Sequence, residues 1–183
     1  MTLATPIRRR AAQSSHTRAD GPGGAASAAA ADAATIDLLQ HLADACADSA
    51  YGFASCADYA NISQHRAWFR KRAQECEAAR EQVQALALRL GAAPVHAAAG
   101  GTRLHRGWVA ARGTLCGLRD ASIVAECERG EALTGERYRQ ALQHRLPADV
   151  RTVLAHHLRA SESSLQQIRS LRDALSATSQ GAA

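Results

Sequence analysis

The sequence predicts an all-α fold, four long antiparallel helices packed as a bundle. Three observations lead there. Of 183 residues, 43 are alanine and 18 are leucine, the best helix formers among the apolar residues. Valine and isoleucine together number 11, and aromatic residues make up 4% of the chain, too few for the β-branched and aromatic strands of a sandwich or barrel. From Thr35 onward, apolar or small residues recur in alternating steps of three and four, the period of a helical stripe.

The first long helix is expected over residues 35–60. Its stripe is Leu39, Leu42, Cys46, Ser49, Phe53, Cys56 and Ala60, and Thr35 or Asp37 can cap its start. Asn61 and Ser63 supply a turn. The second helix carries an unbroken seam: Ile62, His65, Phe69, Arg72, Cys76, Ala79, Val83, Leu86 and Leu90. Gly91 stands where a left-handed C-cap is expected, with Pro94 following.

Residues 91–103 read as a crossover. A short extra helix over 104–116 places Leu104, Trp108, Ala111 and Leu115 on one face, with Trp108 anchoring it across an end of the bundle. Asp120 is expected to cap the third long helix, whose seam is Val124, Cys127, Glu131, Thr134, Tyr138 and Ala141. Leu146-Pro147 breaks the chain, Pro sitting at the first helical position. The fourth seam is Val150, Leu154, His157, Ser161, Ser164, Ile168, Leu171 and Leu175. Short first and third connections make two antiparallel hairpins.

One domain is expected over residues 35–176. Residues 1–34, rich in Ala, Gly, Ser and Arg, and residues 177–183 bury too little apolar surface to offset ordering entropy and are expected to be disordered tails; a short helix in the alanine run 25–34 is allowed. The net charge is +5, and the interleaved charge of the body lacks the basic stripe of a nucleic-acid interface. No apolar run without charges is long enough to span a membrane. Five cysteines without C-x-x-C spacing argue against a secreted disulfide framework and for reduced thiols in the cytoplasm. Arg8–Arg10 lead into no apolar region, which argues against a signal peptide.

The runs HRGWVAARGTL (105–115), AECERGE (125–131), YRQALQHRLPADVR (138–151) and IRSLRDAL (168–175) resemble a bacterial ferritin-like family, domain of unknown function 2383. Asp48 and Gly52-Phe53 are similar to its Asp-Gly-x-x-Gly-Phe motif, with Ser49 in place of the first Gly. The resemblance covers about 36–175. It implies a ferritin-like antiparallel four-helix bundle with a short extra helix in the crossover between the second and third helices, and no established activity.

Ferritin-like di-iron centres take a Glu from each of two helices and Glu-x-x-His from the other two. No Glu in this chain has His three residues on, and the first helix has no Glu. An iron oxidase or store is therefore not expected. Polar seam residues still offer a non-standard site: Glu131 with Glu128, His157 or a layer of Cys46, Cys76 and Cys127. Thiolates would favour zinc or Cu(I) over iron. Against this, free Cys packs well as a small core residue. A buried Glu131 also needs a partner, and Arg72 on the second helix is the preferred one. No cofactor is the leading expectation, with iron or zinc as the alternative.

Gly130, mid-helix beside Glu131, suggests close approach of another helix. His156 and His157 point about 100° apart on a helix, so only His157 faces the seam. No Gly-x-Ser-x-Gly or phosphate loop supports nucleophilic or nucleotide chemistry. The leading functional expectation is a non-enzymatic structural, stress-related or interaction module, a homo-oligomer and most simply a dimer. The alternatives are a metal-binding bundle and a bundle binding a lipid or other apolar ligand.

Overall fold

The computed structural model describes residues 22–94 and 120–181. Four helices fill them: α1 Pro22–Tyr59, α2 Ser63–Arg89, α3 Asp120–Gln143 and α4 Ala148–Gly181. The all-α reading holds, and among the described residues there is no strand. α1 begins before the expected Thr35, so the alanine run 25–34 is continuous with it. α4 likewise extends past residue 176. The expected helix at 104–116, with Trp108, lies outside the described residues.

Local chemistry sets the ends. Gly91 takes φ 97°, a left-handed conformation that costs a residue without Cβ little. The N–H groups of Leu90, Gly91 and Ala92 return to carbonyls of the last turn of α2. At the α3–α4 turn, Pro147 lies just ahead of Ala148, the first residue of α4, rather than inside the helix. Its carbonyl accepts from Arg151 N. The Arg151 guanidinium donates to the carbonyls of Leu142 and His144, each at 2.8 Å, satisfying acceptors that the end of α3 leaves open.

The start of α2 is closed from a distance. Ile62 holds its cap position with no side-chain cap of its own. Asp120, expected to cap its own helix, instead turns its carboxylate to the α1–α2 corner. It accepts from Asn61 N at 2.9 Å, Asn61 Nδ2 at 3.0 Å, Ile62 N at 3.2 Å and His65 Nδ1 at 3.0 Å. Burial works against the charged form, but these bonds outweigh it and hold the carboxyl below its usual range.

These contacts settle the topology. α3 starts beside the α1–α2 corner and runs antiparallel to α1, pairing Ser49 with Thr134 and Cys46 with Tyr138. α4 runs antiparallel to α2, joined to it by Trp68 Nε1 to Gln167 Oε1 at 2.9 Å near one end and Arg89 Nη2 to Asp149 Oδ2 at 2.5 Å near the other. α1 packs on α2 and α3, and α4 on α3 and more openly on α2, so α2 and α3 face each other across the diagonal. The chain leaves α2 and enters α3 at opposite ends of the bundle, about 40 Å apart for a 27-residue helix.

The core divides in two. At the α3–α4 turn end, Leu39, Leu42, Val83, Leu86, Ala141, Val150 and Leu154 pack together. At the α1–α2 turn end, Phe53, Cys56, Phe69, Ile123, Val124, Cys127 and Ile168 do so. Between the two lies a belt of buried polar residues: Arg72, Glu131, Thr134, His157, Ser161 and Ser164.

Candidate functional site

The polar belt is written into the seams. Arg72 stands on the buried face of α2, Glu131 and Thr134 on that of α3, His157, Ser161 and Ser164 on that of α4. A helical period leaves these positions no exposed alternative, so each must find a partner inside or stay unsatisfied.

Glu131 is 1% exposed and Arg72 is 7% exposed. Arg72 Nη2 donates to Glu131 Oε1 at 2.5 Å, and Nη1 donates to Glu75 Oε2 at 3.2 Å. Burial works against the Arg72 charge, but these carboxylates outweigh it and raise the guanidinium pKa. The guanidinium also lies 5.8 Å from the centre of the Phe53 ring. Among the described residues, Glu131 Oε2 and Arg72 Nε have no partner. A hollow of about 20 Å³ bounded by Ser49, Gly130 and Glu131 has room for one water.

The thiols do not gather into one layer. Cys46 Sγ and the Tyr138 hydroxyl share a hydrogen bond at 2.9 Å. Burial pushes the Cys76 thiol up to about 12, with Glu131 and the neighbouring Cys46 adding and Arg72 opposing. Cys127 meets Cys56 rather than Cys46, and burial raises its pKa further. The antiparallel register is the reason: Cys56 lies ten residues along α1 from Cys46, about 15 Å. All four are free thiols, and thiols buried in this way are unreactive.

The other sequence candidates are also engaged. Glu128 accepts from Arg169 Nε at 3.0 Å and Arg172 Nη1 at 2.6 Å, on the outer side of α3. His157 lies tilted against Tyr138, ring centres 6.0 Å apart, and among the described residues its Nε2 has no partner. Burial pushes its pKa down to about 4, with the neighbouring His156 and Arg72 charges adding to the effect. Among the described residues, no three of His, Cys, Asp or Glu converge in a geometry that holds a metal ion. Among the described donors that face the axis, the central carboxylate, Glu131, carries the Arg72 guanidinium.

Two features correct or extend the sequence reading. Gly130, taken for a close helix approach, has nothing among the described residues within 4 Å of an added Cβ. The close approach is at Gly135, where a Cβ would stand 3.4 Å from Ser161 Oγ. The second feature is Asp48, half-buried on α1. Burial pushes its carboxyl up to about 6, Arg137 opposing and Asp44 adding.

Beside the belt, α2 and α4 part to leave a cleft of about 440 Å³. Its floor includes Arg72, Cys76, Tyr138, His157 and Ser164.

A family model described as a domain of unknown function, DUF2383, matches residues 34–144. The chain belongs to that family. The DUF2383 match covers most of α1, all of α2, the crossover and α3, and so includes Asp48, Arg72 and Glu131. It stops before α4, so His157, Ser164 and the IRSLRDAL run lie beyond it. No curated protein matches the chain.

Proposed function

We propose that this DUF2383 protein is a ferritin-like bundle without a di-metal centre, a non-enzymatic module that acts through structure and association. Two antiparallel hairpins joined by one long crossover are the ferritin-like connection. The observation that carries the reading is the Arg72–Glu131 pair: a guanidinium occupies the one carboxylate that the described residues place in the buried layer, so we read that layer as serving packing rather than metal chemistry. A cytoplasmic, stress-related homodimer is the setting we infer, from reduced thiols and helix faces rich in small residues.

The test is elemental analysis of tag-free protein after equilibration with iron(II) and zinc(II) and desalting. Less than about 0.1 metal per chain is expected, since Glu131 would have to give up its bond to the buried Arg72 guanidinium to take an ion. One metal per chain, lost in Glu131→Gln, would overturn the reading and establish the metal-binding alternative with iron or zinc.

A further inference from the structure

α1 carries a second stripe, on the side opposite its core seam. Asp37, Asp44, Asp48, Tyr51, Ser55 and Asp58 recur there at helical spacing. The helix holds five Asp and no Lys, Arg or Glu, so nothing along it offsets these carboxylates. Asp37, Asp44 and Asp58 are exposed, and among the described residues none of the three enters an ion pair. Asp48 feels Arg137 of α3 and, against it, the like charge of Asp44. Like charges a turn apart on one helix repel, and such a face calls for cations. It is also not fully open. Ser55, between Tyr51 and Asp58, is 6% exposed, although a serine turned from the core is ordinarily in solvent.

The topology supplies an occupant. Residues 95–119 join the end of α2 to the start of α3, and those points lie at opposite ends of the bundle. α2 and α3 stand on one diagonal, with α1 and α4 at the other two corners. The connection therefore passes over α1 or over α4. Its 25 residues reach up to about 80 Å, enough for either route. Both ends sit by α1: Ala92 packs on the cluster that holds Leu39, and Asp120 bonds Asn61, three residues past Asp58.

Charge separates the two routes. Residues 95–119 hold Arg103, Arg106, Arg112 and Arg119 and no Asp or Glu. α4 carries four Arg against three acids, and Arg151, Arg159 and Arg169 are exposed. Four guanidinium groups laid over α4 meet like charge; laid over α1 they meet carboxylates alone.

We propose that the crossover 95–119 docks along the outer face of α1, its arginines set against Asp37, Asp44 and Asp58. That route leaves α4 and the α2–α4 cleft uncovered.

Zero-length cross-linking of the full chain tests this. Arg103→Lys, Arg106→Lys, Arg112→Lys and Arg119→Lys, made one at a time, keep the charge and supply an amine. A carbodiimide joins that amine only to a carboxylate in contact with it. Lys71 is the only native lysine, so peptide mass mapping reads each new amide bond directly. Bonds within one chain to Asp37, Asp44 or Asp58 are expected, and about 0.5 M salt should weaken them by screening exposed charges. The combined variant Asp37→Asn, Asp44→Asn and Asp58→Asn should speed trypsin cleavage after Arg106 and Arg112 by about fivefold, the worth of three exposed pairs, with the helical circular dichroism spectrum unchanged. Bonds to Asp149, Glu162 or Asp173 would put the crossover on α4 and overturn the proposal. Bonds between isotopically distinct copies would give the face to a second chain, and α1 bonds only from Arg8→Lys, Arg9→Lys, Arg10→Lys or Arg18→Lys would give it to residues 1–21; either overturns it. So would no bond to α1 at all, or unchanged cleavage in the triple variant.

Discussion

Arg72 Nη2 reaches Glu131 Oε1 at 2.5 Å and so joins α2 to α3, the two helices that face each other across the bundle diagonal. A guanidinium suits this span because its long stem packs along apolar surface while its planar head presents several donors. One goes to Glu131 and another to Glu75. The pair sits between the two apolar clusters, where each charge depends on the other.

The pair should be costly to break and cheap to replace. Arg72→Met alone should destabilise by about 3–5 kcal/mol, because it leaves the buried Glu131 charge uncompensated; Glu131→Gln should cost less, because Glu75 still holds Arg72. Combined apolar replacement, Arg72→Met with Glu131→Leu, should recover most of that loss and return stability to within about 1 kcal/mol of the parent or above it. Urea unfolding of the three variants gives the comparison. Additive losses would show that the two side chains do not act as a pair.

His157 gives the bundle a pH dependence of known sign. Its folded pKa, about 4, lies below the unfolded value of 6.5. The unfolded chain therefore binds the proton more readily, and stability rises with pH across that interval. The contribution is complete above about pH 6.5 and is lost as pH falls to about 4. Thermal midpoints from pH 7 down to 5 should fall, and His157→Gln should flatten that stretch. An unchanged slope in the variant would remove His157 as its source.

Asp48 acts with the opposite sign. Its carboxyl titrates near 6 in the fold against 3.8 in the free chain. The folded state then binds the extra proton, and stability is lost as pH rises from about 4 to 6. Asp48→Asn should raise the thermal midpoint at pH 7.5 and leave it unchanged at pH 3.8. A drop at pH 7.5 would mean that the carboxylate forms an interaction worth more than its burial costs.

The seams were legible because the helical period restricts which residues face the axis. Every third-helix position read from the sequence, from Val124 to Ala141, is buried, and the polar ones among them include Glu131. Its partner was legible too, since a buried carboxylate calls for a cation and Arg72 is the only one on the facing seam of α2. What escaped depends on register between distant segments. Cys127 shares a seam with Glu131, but only the relative slide of α1 and α3 decides that it meets Cys56 and not Cys46. Asp120 reads locally as a cap for its own helix, and its use at Asn61 and Ile62 needs a corner 59 and 58 residues away. Ser164 reads as a small seam residue; only the arrangement of α4 against its neighbours shows that its hydroxyl has no partner among the described residues.

Gly130 offers a direct way to separate packing from propensity. It lies inside α3, where glycine costs about 1 kcal/mol relative to alanine. A methyl there would meet nothing among the described residues within 4 Å. Gly130→Ala should therefore stabilise the protein by about 0.5–1 kcal/mol, read as a higher urea midpoint at unchanged m-value. Gly135→Ala makes the contrast, because its methyl would stand 3.4 Å from Ser161 Oγ and the helical gain there is opposed by crowding of a hydroxyl that is itself 1% exposed. The two substitutions make the same chemical change in one helix, so a larger gain at 130 than at 135 assigns the difference to the α3–α4 contact. Equal gains would show that Ser161 moves aside freely and that α3 and α4 are not closely fitted at Gly135.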